Sequence, residues 1–185
     1  MSTGVIIARL QPIHNGHIEL IKQALKDNDK VLIWIGSADK LNVRNPIPIK
    51  RRTELVHAAL DEVFTDEADR KRIDVRAMPD LTDETDNSYD WGFYLHSHIV
   101  DFIGESKYTI YYSDGFQIIM SWFPKYITDK FVSFKLNARG GIHDGLSATL
   151  VRNWIVRGDD ENLRESVPKC VFEKRHLLKD FIESF

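Results

Sequence analysis

Apolar residues occur along this chain in two rhythms. Apolar runs of strand length recur as Gly4-Val5-Ile6-Ile7-Ala8, Val31-Leu32-Ile33-Trp34-Ile35, Tyr108-Thr109-Ile110-Tyr111-Tyr112 and Phe131-Val132-Ser133-Phe134, with a weaker one at residues 73–78. Runs without polar alternation suit strands covered on both faces, as in a parallel sheet. Between them the spacing turns helical: Ile18, Ile21, Ala24 and Leu25; then Leu55, Val56, Ala59, Leu60 and Val63. Residues 91–103 and 116–123 predict a third and a short fourth helix. Leu150, Val151, Trp154 and Ile155 mark a fifth, and residues 171–182 a last one.

Strand and helix therefore alternate from end to end. That order predicts an α/β, Rossmann-like open parallel sheet with helices on both faces. One domain over residues 1–185 is expected. It divides into a core of residues 1–157 and a short C-terminal helical extension, residues 158–185, reached through a polar link at 158–168.

Composition narrows the possibilities. The 25 basic and 28 acidic side chains leave a net charge of −3, which excludes a broad nucleic-acid-binding surface. No apolar run approaches the ~20 residues of a membrane span, and the first residues lack a signal-peptide layout. A single cysteine, Cys170, excludes an internal disulfide and a cysteine-cluster zinc site. A reducing, cytoplasmic setting follows as an expectation.

Ligands of such sheets bind beyond the carboxyl ends of the strands, so the strand-to-helix joints hold the candidate chemistry. The first joint reads Arg9-Leu10-Gln11-Pro12-Ile13-His14-Asn15-Gly16-His17. His14 and His17 are three residues apart and so are neighbours on a helix. Gly16 permits close approach to the backbone. A helix N-terminus attracts anions, and Arg9 adds a permanently charged fork. The second joint carries Gly36-Ser37-Ala38, then Arg44-Asn45-Pro46 and Arg52, with four basic groups and no acid over residues 44–52. Residues 80–90 contain Asp80, Asp83, Glu84, Asp86 and Asp90 and no base, and Trp91 follows. Carboxylates around an aromatic plate suit a flat cationic ring. Tyr112-Ser113-Asp114-Gly115 follows the fourth run, and Gly145-Leu146-Ser147-Ala148-Thr149-Leu150-Val151-Arg152 opens the fifth helix with Ser147 as its expected N-cap. His96 and His98, two apart, do not share a helix face, and no metal site is read from them. His143 has no assigned role.

These strings resemble the nucleotidyltransferase superfamily, whose His-X-Gly-His signature stands here at His14 to His17. The longer first string is similar to archaeal-type nicotinamide-mononucleotide (NMN) adenylyltransferases, with Leu10 where that family usually has Phe or Met. Gly36-Ser37-Ala38 with Asn45-Pro46, and Ser147-X-Thr149-X-X-Arg152, resemble its second and last motifs. The Tyr-Ser-Gly-Asn turn of the family becomes Tyr112-Ser113-Asp114-Gly115 here.

The resemblance implies a nucleotidyltransferase fold that makes NAD and pyrophosphate from ATP and NMN. By the same match His14, His17, Arg44 and Arg152 carry the catalysis. Arg9, Gln11, Gly16, Gly36, Arg52, Ser113, Ser147 and Thr149 bind ATP and its phosphates. Trp91, Asn87 and Ser37 bind NMN. Magnesium is expected to ride on the ATP phosphates, with no metal held by protein side chains alone. A homo-oligomer is expected, with neither nucleic acid nor membrane as a partner. Two alternatives remain at this point. One is another phosphate acceptor, nicotinate mononucleotide or phosphopantetheine. The other is a sensor that binds ATP or NAD without turnover.

Overall fold

The computed structural model describes residues 1–82, 87–137 and 145–185. Its five strands are β1 (Thr3–Ala8), β2 (Lys30–Ile35), β3 (Ile73–Ala77), β4 (Tyr108–Tyr112) and β5 (Val132–Leu136). All neighbouring pairs are parallel. The order is β3-β2-β1-β4-β5. The chain therefore starts in the middle of the sheet, builds outward to β3, and returns to the other side of β1. The strand order reverses between β1 and β4, which opens a crevice at their carboxyl ends.

Ten α-helices lie among the described residues: α1 (Asn15–Asp27), α2 (Ile49–Val63), α3 (Glu67–Lys71), α4 (Tyr89–Ile103), α5 (Ile119–Trp122), α6 (Lys125–Lys130), α7 (Ala148–Arg157), α8 (Asp160–Ser166), α9 (Lys169–Glu173) and α10 (Arg175–Glu183). They cover both faces of the sheet. Consecutive residues of β1 point to opposite sides. Ile6 packs in a cluster with Ile21 of α1, Val56 of α2 and Val151 of α7. Val5 and Ile7 join Leu95 of α4, Ile119 of α5 and Ile127 of α6. Each such side chain contributes about 1.5–3 kcal/mol when fully buried. The expected α/β architecture is thus present, with helices on both faces.

Two C-terminal segments differ from expectation. Residues 158–168, read as a polar link, contain α8, whose Leu163 is buried in the same cluster as Val167, Val171 and Leu178. One apolar residue in an otherwise polar turn gives no periodic signal, yet it suffices to dock the helix. The C-terminal helices therefore form part of the covering of one sheet face. The Glu62 carboxylate reinforces this by accepting the N–H groups of Lys169 and Cys170, both at 2.8 Å, at the start of α9. The last helix, expected to be continuous over residues 171–182, breaks at Lys174 (φ −95°, ψ 8°) into α9 and α10.

The fourth expected helix, residues 116–123, is a 3-10 turn at Asp114–Phe116 followed by α5. Here α4 and α5 touch backbone to backbone. A Cβ on Gly92 would stand 2.7 Å from the Trp122 carbonyl carbon and 2.9 Å from Phe123 Cα, so only glycine fits. Where α1 ends, Asp27 accepts from Lys135 Nζ at 2.6 Å and from the Tyr111 hydroxyl at 2.9 Å. Hydrogen bonds from Lys135 and Gln23 hold its carboxyl at about 2, against some opposing burial. No helix among the described residues is long and apolar enough to cross a membrane.

Candidate functional site

A cavity of about 690 Å³ lies over the carboxyl ends of β1, β2 and β4. Its lining includes Arg9, His14, His17, Gly36, Ser37, Arg44, Asn87, Trp91, Ser113 and Ser147. The five strand-to-helix joints singled out in the sequence thus converge on one space.

His14 is the N-cap of α1 and is almost fully buried. Its Nδ1 accepts the Gly16 N–H at 3.0 Å. The Nδ1 of His17 accepts the His14 N–H at 3.1 Å. Each ring therefore serves as a cap through Nδ1, so a neutral ring carries its proton on Nε2. The Nε2–H is then the donor of each ring. The positive end of the α1 dipole lies at the same spot.

The second joint presents Arg44 on a tight turn. Asn42 Oδ1 accepts the N–H groups of Arg44 and Asn45, both at 3.0 Å. Arg9 Nη1 donates to the Arg44 carbonyl at 3.3 Å, which brings the two guanidinium-bearing residues together. Arg152 joins them from α7. It donates to the Gln11 carbonyl at 2.8 Å and to Thr149 Oγ1 at 3.3 Å. Burial, then the nearby Arg9 and Arg44 cations, pull its guanidinium below the ordinary arginine value. Three like charges held this close cost free energy unless an anion is placed among them. Ser147 caps α7 by accepting the Leu150 N–H at 3.1 Å and lines the cavity.

Four expected phosphate contacts are placed otherwise. Arg52 has no exposed surface. Its fork donates to the carbonyls of Ile47, Arg9, Gly36 and Ser37 at 2.8–2.9 Å. Four of its five N–H donors are thereby engaged by backbone, so it braces the joints instead of reaching into the cavity. Burial and the Arg9 cation lower it to about 10, with Asp80 opposing. Gln11 is also buried and forms a two-way bridge with Ile47, accepting its N–H at 2.9 Å and donating to its carbonyl at 3.3 Å. Gly16 lies inside α1 with its N–H on His14, and Thr149 accepts from Arg152; neither lines the cavity. Sequence identifies a polar donor, but a partner 36 residues away is set only by the fold.

The second neighbourhood is aromatic. Trp91 is largely buried, as a core residue would be, yet it borders the cavity and its indole N–H donates to Thr82 Oγ1 at 2.9 Å. Trp122 tilts against it at 5.5 Å between ring centroids, and Phe116 stands edge-on to Trp122 at 5.5 Å. Asn87 accepts the Trp122 indole N–H at 2.9 Å. Trp122 and Phe116 were missed as site residues. Their signal was aromatic content directly after a strand end, in a segment whose apolar spacing pointed to the core. Asp80, read only as part of an acidic loop, lines the cavity and accepts the Ser37 hydroxyl at 2.9 Å. Asp83, Glu84, Asp86 and His143 lie outside the described residues.

Off the site, His96 pairs with the Tyr108 hydroxyl at 2.7 Å and His98 with the Tyr94 carbonyl at 2.9 Å. Among the described residues no three metal-ligating side chains come together. The convergent donors are imidazoles, guanidiniums and a hydroxyl, a set that suits phosphate oxygens.

Residues 6–132 match the cytidylyltransferase-like family. The nicotinamide-nucleotide adenylyltransferase of Thermococcus onnurineus is 30% identical over 176 residues, covering 92% of this chain and 80% of that protein. That of Pyrococcus furiosus is 28% identical over 94% of this chain and 82% of its own. Among solved structures, the nicotinic acid mononucleotide adenylyltransferase of Plasmodium falciparum complexed with NaAD is similar over all of this chain and 96% of its own, with a TM-score of 0.63 at 13% identity. A bifunctional NMN adenylyltransferase/ADP ribose pyrophosphatase of Francisella tularensis, complexed with AMP and a manganese ion, has a TM-score of 0.61 at 20% identity. The match covers 85% of this chain and 42% of that one, so this chain spans about two-fifths of its length.

Proposed function

The chain belongs to the cytidylyltransferase-like family and within it to the nicotinamide-nucleotide adenylyltransferases, and from that premise we propose that it transfers the adenylyl group of ATP to NMN, giving NAD and pyrophosphate. The observation that carries the reading is the gathering of Arg9 and Arg44 with the paired imidazoles of His14 and His17 in one cavity, beside an aromatic neighbourhood, with Arg152 outside the cavity lining but close enough for its charge to feel both arginines.

A phosphate oxygen of NMN attacks the α-phosphorus of ATP. The bond from that phosphorus to the bridging oxygen breaks, and its electron pair leaves with pyrophosphate. No covalent intermediate on the protein is required. The chain's contribution is then positioning and charge stabilisation. His14 and His17 donate to the α- and β-phosphates. Arg9, Arg44 and Arg152 neutralise the charge that grows on the departing pyrophosphate, and Ser147 with the first turn of α7 seats its far end. Gly36 and Ser113 border the adenosine. Trp91 and Trp122 flank the nicotinamide ring, Asn87 fixes the Trp122 indole, and Ser37 with Asp80 faces the NMN ribose. A divalent cation, magnesium in this reading, enters as part of the ATP substrate and rides on its phosphates. In this reading the reaction runs in the cytoplasm, and light scattering tests the expected homo-oligomer.

The decisive experiment incubates the protein with ATP, magnesium and NMN and follows NAD and pyrophosphate together. Parallel reactions with nicotinate mononucleotide and phosphopantetheine establish the acceptor. Tight nucleotide binding without pyrophosphate release would replace the enzyme reading with that of a sensor.

A further inference from the structure

We infer that Arg52 is a positioning residue for the triphosphate site, acting through the backbone of the two joints that carry it. The inference rests on the adenylyltransferase reading for its kinetic consequence, but its geometry stands apart from that reading. Of the four carbonyls that Arg52 holds, three belong to residues lining the cavity: Arg9, Gly36 and Ser37. The fourth, on Ile47, also accepts from Gln11 and so links the first joint to the second.

The turns held in this way are unusual. Leu10 follows Arg9 with φ 53°, and Ser37 follows Gly36 with φ 52°. These are the two non-glycine residues with left-handed backbone among those described. Side-chain-bearing residues leave that region readily unless the surroundings hold them there. One planar guanidinium bonds to the carbonyl just before each turn, and to that of Ser37 itself. If the fork were removed, both turns would be free to relax. Relaxation of the first moves Arg9 off the phosphates; relaxation of the second moves Ser37 and the Asp80 carboxylate bonded to it.

A lysine cannot replace this fork. Its single ammonium offers three donors from one point, whereas Arg52 reaches four carbonyls from three nitrogens set in a plane. The buried charge alone is therefore not enough, and the geometry of the donors decides.

The test compares wild type with Arg52→Lys, Arg9→Ala and the double variant, using near-UV circular dichroism to establish folding, calorimetric titration with ATP, and initial rates of NAD formation. In folded Arg52→Lys, kcat should fall at least tenfold and ATP affinity severalfold. The cost of Arg9→Ala should be much smaller in the Arg52→Lys background than in wild type, because Arg9 is already displaced there. Wild-type kcat and ATP affinity in Arg52→Lys, or equal costs of Arg9→Ala in both backgrounds, would overturn the inference. If Arg52→Lys does not fold, Arg52→Met takes its place, since it keeps the volume without a buried charge. Failure of both to fold assigns Arg52 to stability alone and also overturns it. A wild-type protein that makes no NAD would count against the adenylyltransferase reading, and the ATP titrations would still decide the role of Arg52.

Discussion

The imidazoles of His14 and His17 stack with their centroids 3.8 Å apart and their planes 26° from parallel. Each uses Nδ1 to cap a backbone N–H at the start of α1. One pair of side chains thus caps the start of the helix while both rings line the same cavity. Replacing His17 with Ala should lower kcat for NAD formation by about 10²–10³, the usual loss when a preorganised donor to a developing charge is removed. Arg152→Ala should lose a similar factor. Steady-state rates on protein shown to be folded by circular dichroism check both. His14→Ala should show the same kinetic loss and, in addition, lose about 1 kcal/mol of stability, because it removes the N-cap. A His17→Ala protein with wild-type turnover would remove the imidazole pair from the mechanism.

The Trp91–Trp122 pair predicts a separation of substrates. Trp91→Ala should raise KM for NMN about tenfold, in the range expected for the loss of one aromatic contact and some packing, with KM for ATP little changed. Varying each substrate against a saturating level of the other checks this. A rise confined to ATP would assign the aromatic neighbourhood to adenine instead.

Acid stability should depend on Asp27. Its folded carboxyl value of about 2 lies below the ordinary 3.8, so the contribution of the Lys135 pair is complete above about pH 4. It should be lost as pH falls from there toward 2. The pair is partly exposed, so no more than about 1 kcal/mol is expected after screening by solvent. Urea unfolding of wild type and Asp27→Asn should differ at pH 7 and converge toward pH 2.

Gly92→Ala should destabilise by about 1–3 kcal/mol, the cost of forcing a methyl group into a filled contact. Chemical denaturation provides the measurement. Unchanged stability would mean that α5 moves away from α4 freely, and the backbone contact would then be incidental.

The apolar runs made β1, β2 and β4 plainly legible, because residues covered on both faces leave an uninterrupted signal, and Val31 to Ile35 is the clearest case; the edge strands β3 and β5, partly exposed, left a weaker one. Helices with a broad apolar stripe were legible for the same reason. The missed α3, α6 and α8 are five to seven residues long and bury at most one side chain each, too few to establish a period. In the site, residues whose role follows from local position were recognisable. His14, His17 and Ser147 stand at helix starts, and their caps form within three residues. Arg52 and Gln11 were assigned to phosphate because their partners are distant carbonyls, and a carbonyl has no identity in the sequence. Trp122 was hidden by looking like core, and it is in fact packed on Trp91.

The bridge between Gln11 and Ile47 has a consequence for the thermodynamics of nucleotide binding. It fastens the first two joints to each other before any ligand arrives, so the loss of chain freedom in this part of the cavity belongs to folding and not to association. Binding of ATP should then condense little polypeptide. Its heat-capacity change should match the apolar surface that the nucleotide itself covers, without the larger signature of a segment that folds around its ligand.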